Sequence, residues 1–209
     1  MATHAQHPAI STPSVGAQAA IPRDSEGFDM PALARRMYRP TAAMGLMAVA
    51  AGIVAGAVQA TANKPIHVSQ LAAWNPGLLF LGVGLLLSAV TFLLATILGE
   101  LRDGGVAVQK ALGEQALMLK RPWTGYLFPP TMMMGLMLLV ADLGIGLAQA
   151  AKLDSDPVGA ADIGAWLGPL RFAGIALILT GVTLALATIV RSLRFQSDRV
   201  VQIAAGRQA

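Results

Sequence analysis

The chain has 209 residues, of which 55% are hydrophobic and only 12% charged, with a formal net charge of +4 and no cysteine. Average globular proteins carry about 25% charged residues, so a water-soluble fold is excluded. The missing cysteine excludes disulfides, thiolate nucleophiles, iron–sulfur clusters and Cys-ligated zinc.

Met1 to Ile21 hold no charged side chain and are rich in Ala, Thr, Ser, Pro and Gln. That is the composition of a flexible polar tail rather than of a secretory signal, and the tail is set at residues 1–29. Met30 to Tyr38 reads as a short interfacial helix, with Asp29 as N-cap and Pro31 in its first turn. Four stretches then reach the roughly 20 apolar residues that a membrane crossing needs. They are residues 40–61, 77–98, 130–151 and 169–190. Asp142 lies in the third and Arg171 in the fourth, and the first two hold no ionisable residue. Between the second and third spans, Leu101 to Leu119 reads as an amphipathic helix, with Gly104-Gly105 marking a kink near its start. Trp74, Trp123 and Trp166 stand near span ends, where amphipathic rings anchor helices.

Basic residues cluster before the first span (Arg23, Arg35, Arg36, Arg39), after the second (Arg102, Lys110, Lys120, Arg121) and after the fourth (Arg191, Arg194, Arg199, Arg207). Twelve of the fifteen thus fall on one side of the membrane, which the positive-inside rule makes cytoplasmic. Both termini are expected inside, in the inner membrane of a bacterium. The basic pI needs no nucleic-acid partner, and no basic stripe interleaved with aromatics suggests one.

The two halves of the chain repeat each other. Pro40-Thr-Ala-Ala-Met-Gly-Leu-Met47 returns as Pro130-Thr-Met-Met-Met-Gly-Leu-Met137, and this register carries 10 identities over 22 positions. Ala73-Trp74 matches Ala165-Trp166, Leu94-Ala-Thr-Ile97 matches Leu186-Ala-Thr-Ile189, and Leu101-Arg102 matches Leu193-Arg194, within 15 identities over 30 positions. Shared hydrophobicity alone does not place the Pro-Thr start, the Trp and the charged boundary together. The expected fold is all-α: four transmembrane helices as a tandem two-plus-two parallel repeat with cytoplasmic helical extensions, residues 30–121 then 122–209. A pseudo-two-fold axis along the membrane normal would relate the halves.

Ala48, Gly52, Gly56 and Ala60 recur every fourth residue in the first span, and Gly146 and Ala150 hold the matching places in the third. Such spacing lets helix backbones approach in lipid. Asp142 takes the repeat position of Gly52, on that packing face. An intramembrane acid is a candidate site whose partner must be named, and Arg171 is the basic residue available. The two read either as a proton- or cation-coupled pair or as an asymmetric helix clamp in which Asp142 is protonated or hydrogen-bonded to Thr180 or Thr183, with Arg171 a snorkelling boundary residue. Met44 and Met47, repeated as Met134 and Met137, are thioethers of the kind that bind Cu(I), although methionine also fills irregular apolar gaps. His4, His7 and His67 lie outside the apolar runs, so intramembrane histidine centres for haem, di-iron or copper are not expected. No catalytic residue, bound cofactor or metal is expected. The functional expectation is a non-catalytic accessory or scaffold subunit of a larger integral membrane complex, packing through small-residue faces and cytoplasmic helices. The alternatives are a transport component that uses Asp142 and, more weakly, Cu(I) handling by the Met pairs.

Overall fold

A computed structural model describes residues 20–22, 30–113, 117–119 and 122–206. In chain order these form strand β1 (Ala20–Pro22), helix α1 (Met30–Thr61), helix α2 (Pro65–Ala111), strand β2 (Leu117–Leu119), helix α3 (Trp123–Lys152) and helix α4 (Pro157–Gly206). All four helices are long and apolar enough to cross a bilayer, which marks a multi-pass membrane protein. At 1.5 Å per residue, the 47 residues of α2 and the 50 of α4 run about 70–75 Å. Both therefore extend well past a hydrocarbon layer of about 30 Å.

The helices are longer than the apolar spans because proline does not end them. Pro40 lies inside α1, Pro76 inside α2, Pro129 and Pro130 inside α3, and Pro169 inside α4. The separate interfacial helix expected at residues 30–38 is instead the first part of α1. Proline removes one backbone donor and frees a carbonyl, a defect that long transmembrane helices absorb with help from Ser and Thr hydroxyls. Thr41 and Thr131, each next to such a proline, donate to the carbonyls of Met37 and Leu127 at 2.8 and 2.7 Å, one residue on from the carbonyls that Pro40 and Pro130 free. The loops shrink accordingly. Only residues 62–64 separate α1 from α2, and α2 opens with Pro65, where a missing N–H costs nothing. Asp156 opens α4: its Oδ1 accepts the Gly159 N–H at 3.0 Å, an N-cap directly before Pro157.

The helix expected over 101–119 stops at Ala111. Gly113 takes φ +77°, a conformation that favours glycine, and its N–H closes the last turn on the Lys110 carbonyl at 3.0 Å. The chain leaves as β2, which pairs antiparallel with β1 in the register Ala20–Leu119, Ile21–Met118 and Pro22–Leu117. A piece of the polar tail is thereby an edge strand on the α2–α3 connection. Asp29 and its capping role lie outside the described residues.

The α1–α2 and α3–α4 hairpins cross at matching glycines. A Cβ on Gly45 would meet the Gly82 carbonyl at 3.0 Å, and one on Gly135 would meet the Gly174 carbonyl at 2.7 Å. The hairpins do not associate symmetrically. Helix α2 packs on all three other helices, whereas α1 packs substantially on α2 alone. A two-fold axis would require α1 to pack on α4 as α3 does on α2, so the expected pseudo-two-fold is corrected to a side-by-side arrangement. The reason is the composition of α2. Its buried positions are small on two faces, with Gly82 and Ala89 among one set and Gly77, Gly84, Ser88, Thr91 and Ala95 among the other. Small residues on both sides let two sets of helices approach one backbone. At the end opposite the hairpin turns, Ala34, Ala95, Phe128 and Ala185 bring all four helices into one small core.

Candidate functional site

Asp142 and Arg171 come together across the α3–α4 hairpin. Arg171 Nε donates to Asp142 Oδ2 at 3.0 Å. The acid is fully buried, while the arginine side chain keeps 15% of its surface exposed. Asp142 reaches this place because it follows Gly135 and Leu139 along the buried stripe of α3, one or two turns apart. Its other neighbour is α2, where a Cβ on Gly77 would lie 2.8 Å from Asp142 Oδ2. Glycine at 77 therefore leaves the room that the carboxylate occupies. The contact is a single bond: Asp142 Oδ1 and Arg171 Nη2 are buried without a partner, so the two-bond fork available to an arginine–carboxylate pair is not formed.

Arg171 also borders a recess of about 400 Å³ at the hairpin-turn end, between the two hairpins. Ser69 and Ala73 of α2, Gln149 of α3, and Gly164 and Gly168 of α4 line it. Gln149 lies over Gly164, and a larger residue there would have to push the amide end of that side chain aside. The arginine of the pair thus borders an open, mixed-polarity depression, while the carboxylate stays buried behind it.

The small-residue positions are used within the chain. Gly52 faces Leu79 and Asn75 of α2, and Gly56 faces the Asn75 amide. Gly146 meets the α2 backbone, with a Cβ there 2.8 Å from the Ala73 carbonyl. Ala48 and Ala150 are half-buried and Ala60 is exposed. Met44, Met47, Met134 and Met137 are all exposed, and α1 and α3, which carry them, do not pack substantially on each other. His67 is exposed as well. Among the described residues no group of three His, Asp or Glu side chains is placed to hold a metal ion.

The hydroxyls along α2 and α4 bond to their own helices. Ser88, Thr91 and Thr96 donate to the carbonyls four residues back at 2.8, 3.0 and 3.0 Å, and Thr180, Thr183 and Thr188 at 2.8, 2.9 and 2.9 Å. Such back-bonding satisfies a polar group inside lipid without presenting it to a pore. Two ties lay beyond sequence reasoning. The Thr124 and Thr188 hydroxyls meet at 2.8 Å, and Gln196 Nε2 donates to the Leu101 carbonyl at 2.8 Å. The one available signal for the second was that Gln196 interrupts the apolar register of the α4 extension.

No family model, curated protein or solved structure matches the chain.

Proposed function

We propose that this chain is a non-catalytic accessory subunit of the bacterial inner membrane, built by duplication of a two-helix unit. Both termini lie in the cytoplasm, and the chain packs beside a larger membrane enzyme or transporter. The observation that carries this reading is the engagement of its intramembrane polar groups: Asp142 is bound to Arg171, and six hydroxyls are bonded to their own helices. The hydroxyls are satisfied within their own helices, and the buried carboxylate ties α3 to α4. What remains for a partner is the exposed apolar surface of α1, α3 and α4 and the C-terminal ends of α2 and α4, which extend past the apolar spans. The basic residues on those extensions put them on the cytoplasmic side. Affinity purification of the tagged chain from its native membranes in mild detergent, followed by mass spectrometry, tests the reading. A second membrane protein in stoichiometric amount is expected, and a particle made of this chain alone overturns it.

One observation favours a second reading, as a small transport component. Arg171, paired with the buried acid, lines the recess at the hairpin-turn end. In that reading Asp142→Asn abolishes flux in reconstituted liposomes while partner binding persists. In the accessory reading, partner binding is what a lesion on the docking surfaces removes.

A further inference from the structure

We infer that the outer face of α4 receives the α1–α2 hairpin of a second copy of this chain, repeating between molecules the contact that joins the two hairpins within one. The inference stands apart from the accessory reading and starts from the register that places each α2 residue 92 positions before its α4 counterpart. On α2, Asn75 and Gly82 pack toward α1, and Ala89 continues that stripe; all three are buried. Their counterparts Leu167, Gly174 and Gly181 are buried too, with Gly174 and Gly181 against α3. The other α2 face behaves differently. Gly77 meets Asp142 and Leu143, and Gly84 meets Leu136, Leu139 and Ile178, while Ser88, Thr91 and Ala95 carry that stripe onward, all buried. The matching α4 residues Pro169, Ala176, Thr180, Thr183 and Ala187 are all exposed. The α4 helix thus keeps the pattern of a two-sided helix with one side covered.

The missing cover follows from the register that places each α1 residue 90 positions before its α3 counterpart. The α3 residues that seat on Gly84 are Leu136 and Leu139, and their α1 counterparts are Leu46, which is exposed, and Val49, which is half-buried. Leu143 beside Gly77 corresponds to Ile53, also exposed. Phe80 of α2 meets Phe172 of α4 edge-on, with ring centroids 6.2 Å apart. These two positions are counterparts, and Phe172 is largely exposed, so its free side can meet the second copy's Phe80. The contact is head-to-tail, using one surface on one copy and a different surface on the next. Contacts of this kind close into rings or run on as arrays. Pro169, Ala176 and Thr180 are each bulkier than Gly77, Gly84 and Ser88, so the contact between copies sits wider than the contact within one.

The absence of cysteine makes thiol pairing a clean test. Full-length Ala176→Cys and Leu46→Cys chains, carrying different tags, are reconstituted together in lipid bilayers and treated with a short thiol-bridging reagent. A mixed dimer is expected, with little Ala176→Cys homodimer and none from Ala176→Cys paired with Val140→Cys on the outer side of α3. Absence of the mixed dimer, or equal yield of the Ala176→Cys homodimer, overturns the inference. A second measurement needs no cysteine. The wild-type particle in bilayer discs is expected at a multiple of 21.6 kDa, and the double variant A176L/T180L as a single chain with unchanged helicity. A wild-type particle of one chain overturns the inference independently. The accessory reading is tested separately, by a different protein in the native extract, so either can fail while the other stands.

Discussion

Replacing Arg171 with leucine removes the one hydrogen-bond partner that the Asp142 carboxylate has among the described residues. The acid is fully buried between α3 and Gly77 of α2, so losing the guanidinium leaves a buried acid uncompensated. Breaking a buried pair by deleting one partner costs about 3 kcal/mol, most of it the penalty of an uncompensated acid. At about 1.4 kcal/mol per factor of ten, Arg171→Leu shifts the unfolding equilibrium roughly a hundredfold. Asp142→Ala costs less, because the arginine keeps part of its surface exposed and can snorkel toward the boundary. The double variant D142A/R171L removes both charges and regains most of the loss, giving a coupling of about 2 kcal/mol. Reversible unfolding in mixed detergent micelles, followed by far-ultraviolet circular dichroism, measures all four proteins. The reasoning fails if Arg171→Leu lies within about 0.5 kcal/mol of wild type, the range of ordinary surface changes. It fails equally if the two single losses simply add in the double variant.

Three further outcomes follow from the packing. Gly84→Leu drives a side chain into Leu139 and Ile178 and loosens the contact between hairpins by about 3 kcal/mol, read as loss of helicity at lower denaturant. Gly104→Ala meets nothing within 4 Å and should stabilise α2 by about 0.5–1 kcal/mol, measured in the same titration. Gln196→Leu removes the donor to the Leu101 carbonyl and costs about 1 kcal/mol. Faster hydrogen exchange confined to the C-terminal ends of α2 and α4, with the spans unchanged, would locate that loss.

Much of the chain was legible without coordinates, for reasons rooted in one-dimensional physics. Four apolar runs of bilayer length must become helices, because only helices and closed barrels satisfy every backbone group in lipid. Tandem identity made two like hairpins expected, and Asp142 and Arg171 stood out as the ionisable residues within the spans. Helix ends were less legible. Proline marks a span boundary in the sequence at Pro40, Pro130 and Pro169, yet all three lie inside helices. Glycine at 113, which closes the end of α2, gives no stop in the sequence because helix-like periodicity runs on to Leu119. Local pattern does not say whether neighbours will compensate a freed carbonyl.

Association was decided only in three dimensions. The repeat makes the two hairpins alike but leaves open whether they face one another or stand side by side, since that choice rests on which small-residue face of α2 closes against α3 and α4. Packing within each hairpin turns the Ala/Gly stripe of the first span inward to Asn75 and Leu79. It also brings Asp142 to Arg171, 29 residues away. Composition and length determined that this protein is a bundle of membrane helices, because burial in lipid acts on each helix separately. Pairing of faces belongs to the tertiary structure, because in lipid helices are selected by close fit and not by hydrophobicity.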